Sequence, residues 1–230
     1  MPTLLRANYD ANFVRRLFDE FAPAYHLTGR LSFGLDNYVR RKGIRLVSSK
    51  AINYCDMMSG SGQNWKLIQK HSPGALITAV DFSKGMNQMA QPDSRVTILQ
   101  QCATATSLAS NSMDAVVCTF GVKTLNHSQQ TDFCKEILRI LKPGGEFVIL
   151  EFSKPAPFPF GIFYWLYFRV LSPILLLLAG KKLKHHYLLQ PYVEEFGNIS
   201  YVQNGLKPGC SKLIPLTYLF GMVTGIKGVK

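Results

Sequence analysis

The sequence predicts an open, doubly wound α/β domain, and two observations carry that expectation. From Ala51 onward, short apolar runs alternate with stretches of helical periodicity, the pattern of βαβ units around a parallel sheet buried on both faces. The first run ends in a glycine-bearing turn, Asp56-Met57-Met58-Ser59-Gly60-Ser61-Gly62, which leads directly into a helical stretch. In such a sheet a ligand is expected at the carboxyl ends of the strands. The chain has 230 residues, 47% of them hydrophobic and 17% charged, which suits a buried core without disulfides and excludes a disordered or collagen-like chain.

In order along the chain, residues 10–24 place Phe13, Leu17, Phe18 and Phe21 at helical spacing, which predicts a short amphipathic helix ended by Pro23. From 36 to 48, Leu35, Val39, Ile44 and Val47 interleave with Arg40, Arg41, Lys42 and Arg45. That pattern predicts a second helix with a strongly basic face. Strands are expected at 51–56, 75–81, 95–99, 114–119 and 146–151, with helices at 63–71, 84–91 and 128–141. Five scattered cysteines, with no CxxC and no metal-spaced histidines, read as reduced thiols with no metal site. The opening residues show no apolar core of a signal peptide.

The loop after the first strand can be a structural tight turn or a ligand loop, since Gly60 and Gly62 allow close backbone approach. Asp81, closing the second strand, can accept both hydrogen bonds of a ribose diol. Asp56, at the end of the first strand, suits a cationic or ammonium-bearing ligand better than a pyrophosphate. Trp65 stands where a dinucleotide fingerprint wants a third glycine. A nucleoside with a positive charge, such as S-adenosylmethionine, fits these residues better than a dinucleotide.

The run Arg139-Ile140-Leu141-Lys142-Pro143-Gly144-Gly145 continues into Glu146-Phe147-Val148-Ile149-Leu150-Glu151-Phe152-Ser153-Lys154-Pro155. It resembles the signature of the ubiquinone/menaquinone biosynthesis C-methyltransferases, the UbiE type. Phe18 to Tyr25 and Leu31 to Gly34 resemble that family's N-terminal lid, Thr119 to Lys123 its loop after strand four, and Phe220 to Lys230 its terminal strand. The resemblance implies one methyltransferase domain over 1–230, with a Rossmann-like, doubly wound, seven-stranded sheet of class I whose last strand is antiparallel. It divides into a helical lid (1–50), a cofactor-binding core (51–155), an apolar helical insertion (156–190) and C-terminal strands (191–230).

The resemblance further implies that S-adenosylmethionine is the cofactor. Gly60 and Gly62 would line its methionine moiety, Asp81 would hold the ribose hydroxyls, Met86 would pack on the adenine, and Thr104 and Ala105 would face the adenine edge. Tyr25 would cover it from the lid, and Asp56, Ser61, Phe82 and Phe120 complete the expected cofactor shell. The chain departs from the family pattern at His26, Ser59, Gln63, Thr104 and the run Lys123-Thr124-Leu125, which leaves the acceptor more open than the cofactor.

Methyl transfer to carbon asks for an acceptor held in line about 3–3.5 Å from the methyl group and for a base that takes a phenolic proton. His127, Lys123 and Glu151, on loops at the carboxyl ends of strands four and five, are the candidates. Each also has a structural reading: a helix-start residue, a surface lysine and a backbone-turn partner. No nucleophile elbow or P-loop is present, so hydrolase and kinase chemistry have no support. A phospholipid amine or another small hydrophobic metabolite as acceptor, and a non-catalytic protein retaining the fold, stay open at this point.

The stretch from Phe158 to Gly180 holds one charge in 23 residues. Arg169 at its centre and Pro173 argue against a spanning helix and for two short helices broken near Ser172-Pro173. Its aromatics, Phe160, Phe163, Tyr164, Trp165, Tyr167 and Phe168, are either core or the lining for a prenyl or acyl tail. Lys181-Lys182-Leu183-Lys184-His185-His186 follows at once. The net charge of +12 is also uneven, with +5 on residues 1–50, +1 on 51–150 and +6 on 151–230. Basic flanks beside apolar sequence are the pattern of attachment to anionic lipid. The expected partners are a small hydrophobic substrate, an anionic membrane surface and, in a homodimer, a second copy; nucleic acid is not expected. The expected location is the cytoplasm, at the inner face of a membrane.

Overall fold

The computed structural model describes residues 7–31, 34–155, 161–166, 169–170 and 189–230. Among these, seven strands form one sheet: β1 (Asn53–Met57), β2 (Leu76–Val80), β3 (Val96–Leu99), β4 (Met113–Thr119), β5 (Leu141–Phe152), β6 (Lys212–Tyr218) and β7 (Val223–Val229), in the order β3-β2-β1-β4-β5-β7-β6. The strands β1 to β5 are parallel neighbours, and β7 runs antiparallel between β5 and β6. The five strands expected between 51 and 151, the three helices between them and the antiparallel last strand are all present.

Alternation along each strand divides the core into two layers. Val116, Cys118, Phe147 and Ile149 face one side and pack with Phe133 and Ile137, which lie on α5 (His127–Ile140). Val117, Val148 and Leu150 face the other side and pack with Val39, Ile44 and Ile68, which lie on α2 (Leu35–Ile44) and α3 (Trp65–His71). Gly43 lets α2 lie directly on the sheet, because a Cβ there would come 2.5 Å from Leu150 Cδ1. A capping box fixes the start of α5: the Asn126 side chain accepts from Gln129 N, and the Gln129 side chain accepts from Asn126 N.

Three expectations are corrected. The first helix, α1 (Ala11–Leu31), passes through Pro23 instead of stopping there. Proline denies a hydrogen bond to the carbonyl of residue 19, but α1 is fixed by tertiary contacts at that turn. The Asp19 carboxylate accepts from Ser83 Oγ (2.7 Å) and Gly85 N (2.8 Å) at the start of α4 (Lys84–Met89). The Asp19 carbonyl lies against Gly85, where a Cβ would meet it at 2.7 Å.

Second, the basic face expected on α2 loses Arg40, which is 4% exposed and points into the protein. Third, the segment from 191 is not all strand. Helices α7 (Leu189–Phe196) and α8 (Ser200–Leu206) precede β6, and Tyr192 of α7 packs on Val14 and Leu17 of α1.

In the insertion, α6 (Gly161–Leu166) is described, with Tyr164 Oη donating to Glu194 Oε1 at 2.9 Å. The expected break at Ser172-Pro173, the Lys181–His186 cluster, Phe160, Tyr167, Phe168 and the side chains of His26 and Phe163 lie outside the description. No helix among the described residues is long and apolar enough to cross a membrane. All five cysteines are unpaired thiols.

Candidate active site

At the carboxyl end of β1 the chain turns through two left-handed glycines, Gly60 (φ +56°) and Gly62 (φ +88°). The turn is tied to the end of β2 by Ser59 N donating to Val80 O at 3.1 Å. Gly60 N donates to Asp81 Oδ2 at 2.8 Å, and Ser83 N donates to Asp81 Oδ1 at 2.9 Å. Each carboxylate oxygen therefore has one backbone partner and lone-pair capacity left for a ligand. Asp81 is 8% exposed, and burial pushes its pKa up to about 6 against the lowering effect of the two N–H groups.

Beside this turn lies a cavity of about 770 Å³, open to solvent. Of the expected cofactor residues, Tyr25, Gly60, Asp81, Phe82, Met86, Thr104 and Phe120 line it. Asp56, Ser61, Gly62 and Ala105 do not. Gly62 faces away because the Trp65 ring fills the space where its Cβ would stand, 2.6 Å off. Ser61 is occupied locally, its hydroxyl accepting from Gln63 Nε2 at 2.8 Å. On the loop after β3 the wall is formed by Cys102, Ala103 and Thr104, and Ala105 turns outward.

The cavity also takes in residues that the sequence did not single out. Tyr9, Val14 and Phe18 contribute from the N-terminal segment, and Thr124, Leu125 and Gln129 from the connection between β4 and α5. Val14 and Phe18 show the i, i+4 spacing of one helix face, a signal that could have placed them together.

The three candidate bases stand elsewhere. His127 is exposed at the first turn of α5, stacked on Tyr201 with ring centroids 4.1 Å apart. Lys123 and Glu151 are 4% and 0% exposed and satisfy each other. Lys123 Nζ donates to Glu151 Oε1 (3.0 Å) and to Phe120 O (2.6 Å). Glu151 also accepts from Lys123 N (2.9 Å) and Phe152 N (2.7 Å). None of the three lines the cavity, and among the described residues its wall carries no histidine, lysine or glutamate. Lys123 and Glu151 are a clamp between the end of β5 and the turn after β4.

That clamp holds Phe120 in a conformation rare for a non-glycine residue, φ +65°. One face of the Phe120 ring stacks on Phe152 with centroids 4.2 Å apart, and the guanidinium carbon of Arg40 lies 4.7 Å from the Phe120 centroid. Arg40 Nη1 donates to Asn64 Oδ1 (3.1 Å) and to Thr119 Oγ1. Asn64 Nδ2 donates in turn to Asp56 Oδ1 at 2.8 Å. Asp56 is fully buried, and burial pushes its pKa up to about 7, opposed by the Asn64 hydrogen bond and the Arg40 charge. The Trp65 indole N–H faces this carboxylate and also pulls the value down, yet falls short of hydrogen-bond geometry. A sequence signal for Arg40 existed: it falls at i, i+4, i+7 with Ile44 and Val47, on the apolar stripe.

The comparisons with known proteins agree with this geometry. A family model described as the ubiE/COQ5 methyltransferase family matches residues 6–213. A demethylmenaquinone methyltransferase of Thermus thermophilus is 33% identical over 166 residues, covering 69% of this chain and 74% of that protein. A ubiquinone/menaquinone biosynthesis C-methyltransferase of Syntrophotalea carbinolica is 36% identical over 149 residues, covering 62% of each chain. Among solved structures, a methyltransferase of Thermotoga maritima described as a possible histamine N-methyltransferase superposes with a TM-score of 0.65 at 15% identity. The match covers 94% of this chain and 98% of that one. Human N-acetylserotonin methyltransferase, solved with S-adenosylmethionine, gives 0.54 at 13% identity over 84% of this chain and 52% of its own.

Proposed function

The chain belongs to the ubiE/COQ5 methyltransferase family, and from that premise we propose that it methylates a ring carbon of a hydrophobic, quinol-like acceptor. It is an S-adenosylmethionine-dependent methyltransferase of the class I fold. The observation that carries the acceptor reading is the cavity itself. It runs from the Asp81 carboxylate to an apolar wall of Val14, Phe18 and Leu125, with the Thr124 hydroxyl and the Gln129 amide as polar points. The relatives named for demethylmenaquinone supply the acceptor class.

The residues present fit the cofactor. Asp81 keeps acceptor capacity for a ribose diol, Gly60 offers a turn without a side chain, and Asp56 Oδ2 has no hydrogen-bond partner among the described residues. In this reading Asp81 holds the ribose, Met86 and Phe82 flank the adenine, Cys102 to Thr104 meet its edge, and Tyr25 covers the site against Gly60. The cofactor, when bound, supplies an electrophilic methyl group on a sulfonium.

The chain's part is to orient the acceptor and to exclude water. Val14, Phe18, Phe120 and Leu125 present apolar surface to a hydrophobic ring, and Thr124 offers its hydroxyl oxygen while donating to Gly121 O at 2.7 Å. In C-methylation a carbon–carbon bond forms and the ring carbon's hydrogen leaves as a proton. The acceptor hydroxyl ionises first, and with His127, Lys123 and Glu151 away from the wall its proton passes to solvent at the open mouth. The acceptor is met at the cytoplasmic face of a membrane. Supporting this, α6 exposes Ile162 (53%), Trp165 (56%) and Leu166 (47%) while Tyr164 is turned to Glu194.

The test is mass spectrometry of the quinone and lipid pools of a host with and without the protein. A gain of one methyl group in the quinone pool is expected. A gain confined to lipid amines would replace the acceptor.

A further inference from the structure

The connection from Arg40 to Asp56 is an unusual way to bury two opposite charges. Both side chains are at least nine-tenths buried, at 4% and 0% exposure. Burying a charge costs several kcal/mol unless it is paired and hydrogen-bonded, and here the two charges are not in contact. Asn64, itself 1% exposed, stands between them, accepting from Arg40 with its oxygen and donating to Asp56 with its nitrogen. Each charge is left incomplete: Arg40 Nε and Asp56 Oδ2 have no hydrogen-bond partner among the described residues. The nearest acid to Arg40, Asp36, is 3.9 Å from Nε, an ion pair without a hydrogen bond.

A cation and an anion held apart by one amide form a fixed dipole, and this one backs onto the cavity. Arg40 touches two wall residues from behind, Thr119 through a hydrogen bond and Phe120 through its ring. Its charge also reaches the phenol of Tyr25, another wall residue. Asp56 lies at the base of the Gly60 turn. In a low-dielectric wall such a dipole acts on a ligand across one layer of side chains.

We propose that Arg40 and Asp56, spaced by Asn64, are positioning residues that select a zwitterionic amino-acid end on the cofactor, its carboxylate toward Arg40 and its ammonium toward Asp56. The proposal rests on the cofactor reading above and goes beyond it, since it concerns which nucleosides the site tells apart. A direct Arg40–Asp56 salt bridge would cancel the field; the inserted amide preserves it. Arg40 also reaches the cofactor wall from α2, outside the glycine turn and the strands that build the rest of it.

Titration calorimetry tests this with three ligands that share the nucleoside: S-adenosylhomocysteine, decarboxylated S-adenosylmethionine and 5′-methylthioadenosine. On the native protein, the decarboxylated ligand and methylthioadenosine are expected to bind about 10–100-fold more weakly than S-adenosylhomocysteine. Arg40→Gln should lose that factor for S-adenosylhomocysteine and leave methylthioadenosine within about twofold, while Arg40→Lys restores part of the preference by keeping the charge. Equal weakening of all three ligands by Arg40→Gln would mean a structural role only and would overturn the proposal. So would native protein that binds the three equally, a comparison that needs no variant to fold. Native protein that binds none of them would overturn the cofactor reading itself.

Discussion

Asp56 and Asp81 are the residues at which burial and charge conflict most. Their pKa values stand at about 7 and about 6, against an ordinary 3.8, because desolvation outweighs their hydrogen bonds. Folding therefore favours their neutral forms. The stability they contribute is fully present below about pH 4 and is lost as pH rises through about 6 and 7. Asp56→Asn removes one of these costs, so its melting temperature in cofactor-free protein should exceed that of the native chain by a margin that grows from about pH 5 to pH 8. A constant margin would contradict the assignment. Asp81 has the opposite bearing on binding, since only its ionised form accepts both ribose hydroxyls. Cofactor affinity should fall as pH drops below about 6, and Asp81→Ala should cost about 10–100-fold in calorimetric affinity at pH 8. The Lys123–Glu151 pair predicts a stability effect: Glu151→Gln strands a buried ammonium and should lower unfolding free energy by about 3–5 kcal/mol in urea titrations. His127→Ala should leave the rate of methyl transfer within about twofold, and its loss would return that histidine to the chemistry.

At the scale of elements, the contact between α1 and α4 decides how the N-terminal helix closes the cavity. Asp19 gives its carboxylate to Ser83 and Gly85, and its carbonyl lies where only glycine fits. Asp19→Ala should speed hydrogen exchange across α1 while leaving β1 to β5 protected, and Gly85→Ala should act in the same direction through its clash with the Asp19 carbonyl. This contact also shows what a sequence conceals. The parallel strands were legible because a strand buried on both faces is a short unbroken apolar run, as in Ala115 to Cys118 and Phe147 to Leu150. The passage of α1 through Pro23 was not, because local chain chemistry says stop and the overriding contact is 66 residues away. The cofactor side was largely legible, since Gly60, Asp81 and Met86 belong to strand-end turns whose geometry is local. The bases were misplaced for a physical reason: position after a strand puts Lys123 and Glu151 near the site but does not say that each faces the other. Arg40 was assigned to a solvated face because a charge in a basic run looks solvated until its helix is seen lying on the sheet.

For the whole molecule, the near-neutral middle of the chain is the cofactor sheet, and the charge surplus of the flanks belongs to the N-terminal helices and to the segment after β5. This arrangement predicts salt-sensitive binding to anionic vesicles, read by co-sedimentation, with Trp165→Ala weakening it severalfold through lost apolar burial. Vesicles of neutral lipid should retain little protein, and equal binding to both would remove the electrostatic part of the account. The fold, the glycine turn, the Asp81 carboxylate and the apolar cavity wall converge on methyl transfer to a hydrophobic ring. The most direct measurement supplies the purified protein with S-adenosylmethionine carrying a deuterated methyl group and with a reduced, ring-unmethylated quinol, and locates the label by mass spectrometry and carbon NMR. The account predicts one labelled methyl group on a ring carbon and an equal amount of S-adenosylhomocysteine. Label on oxygen, or no transfer from a cofactor that calorimetry shows to be bound, would contradict it.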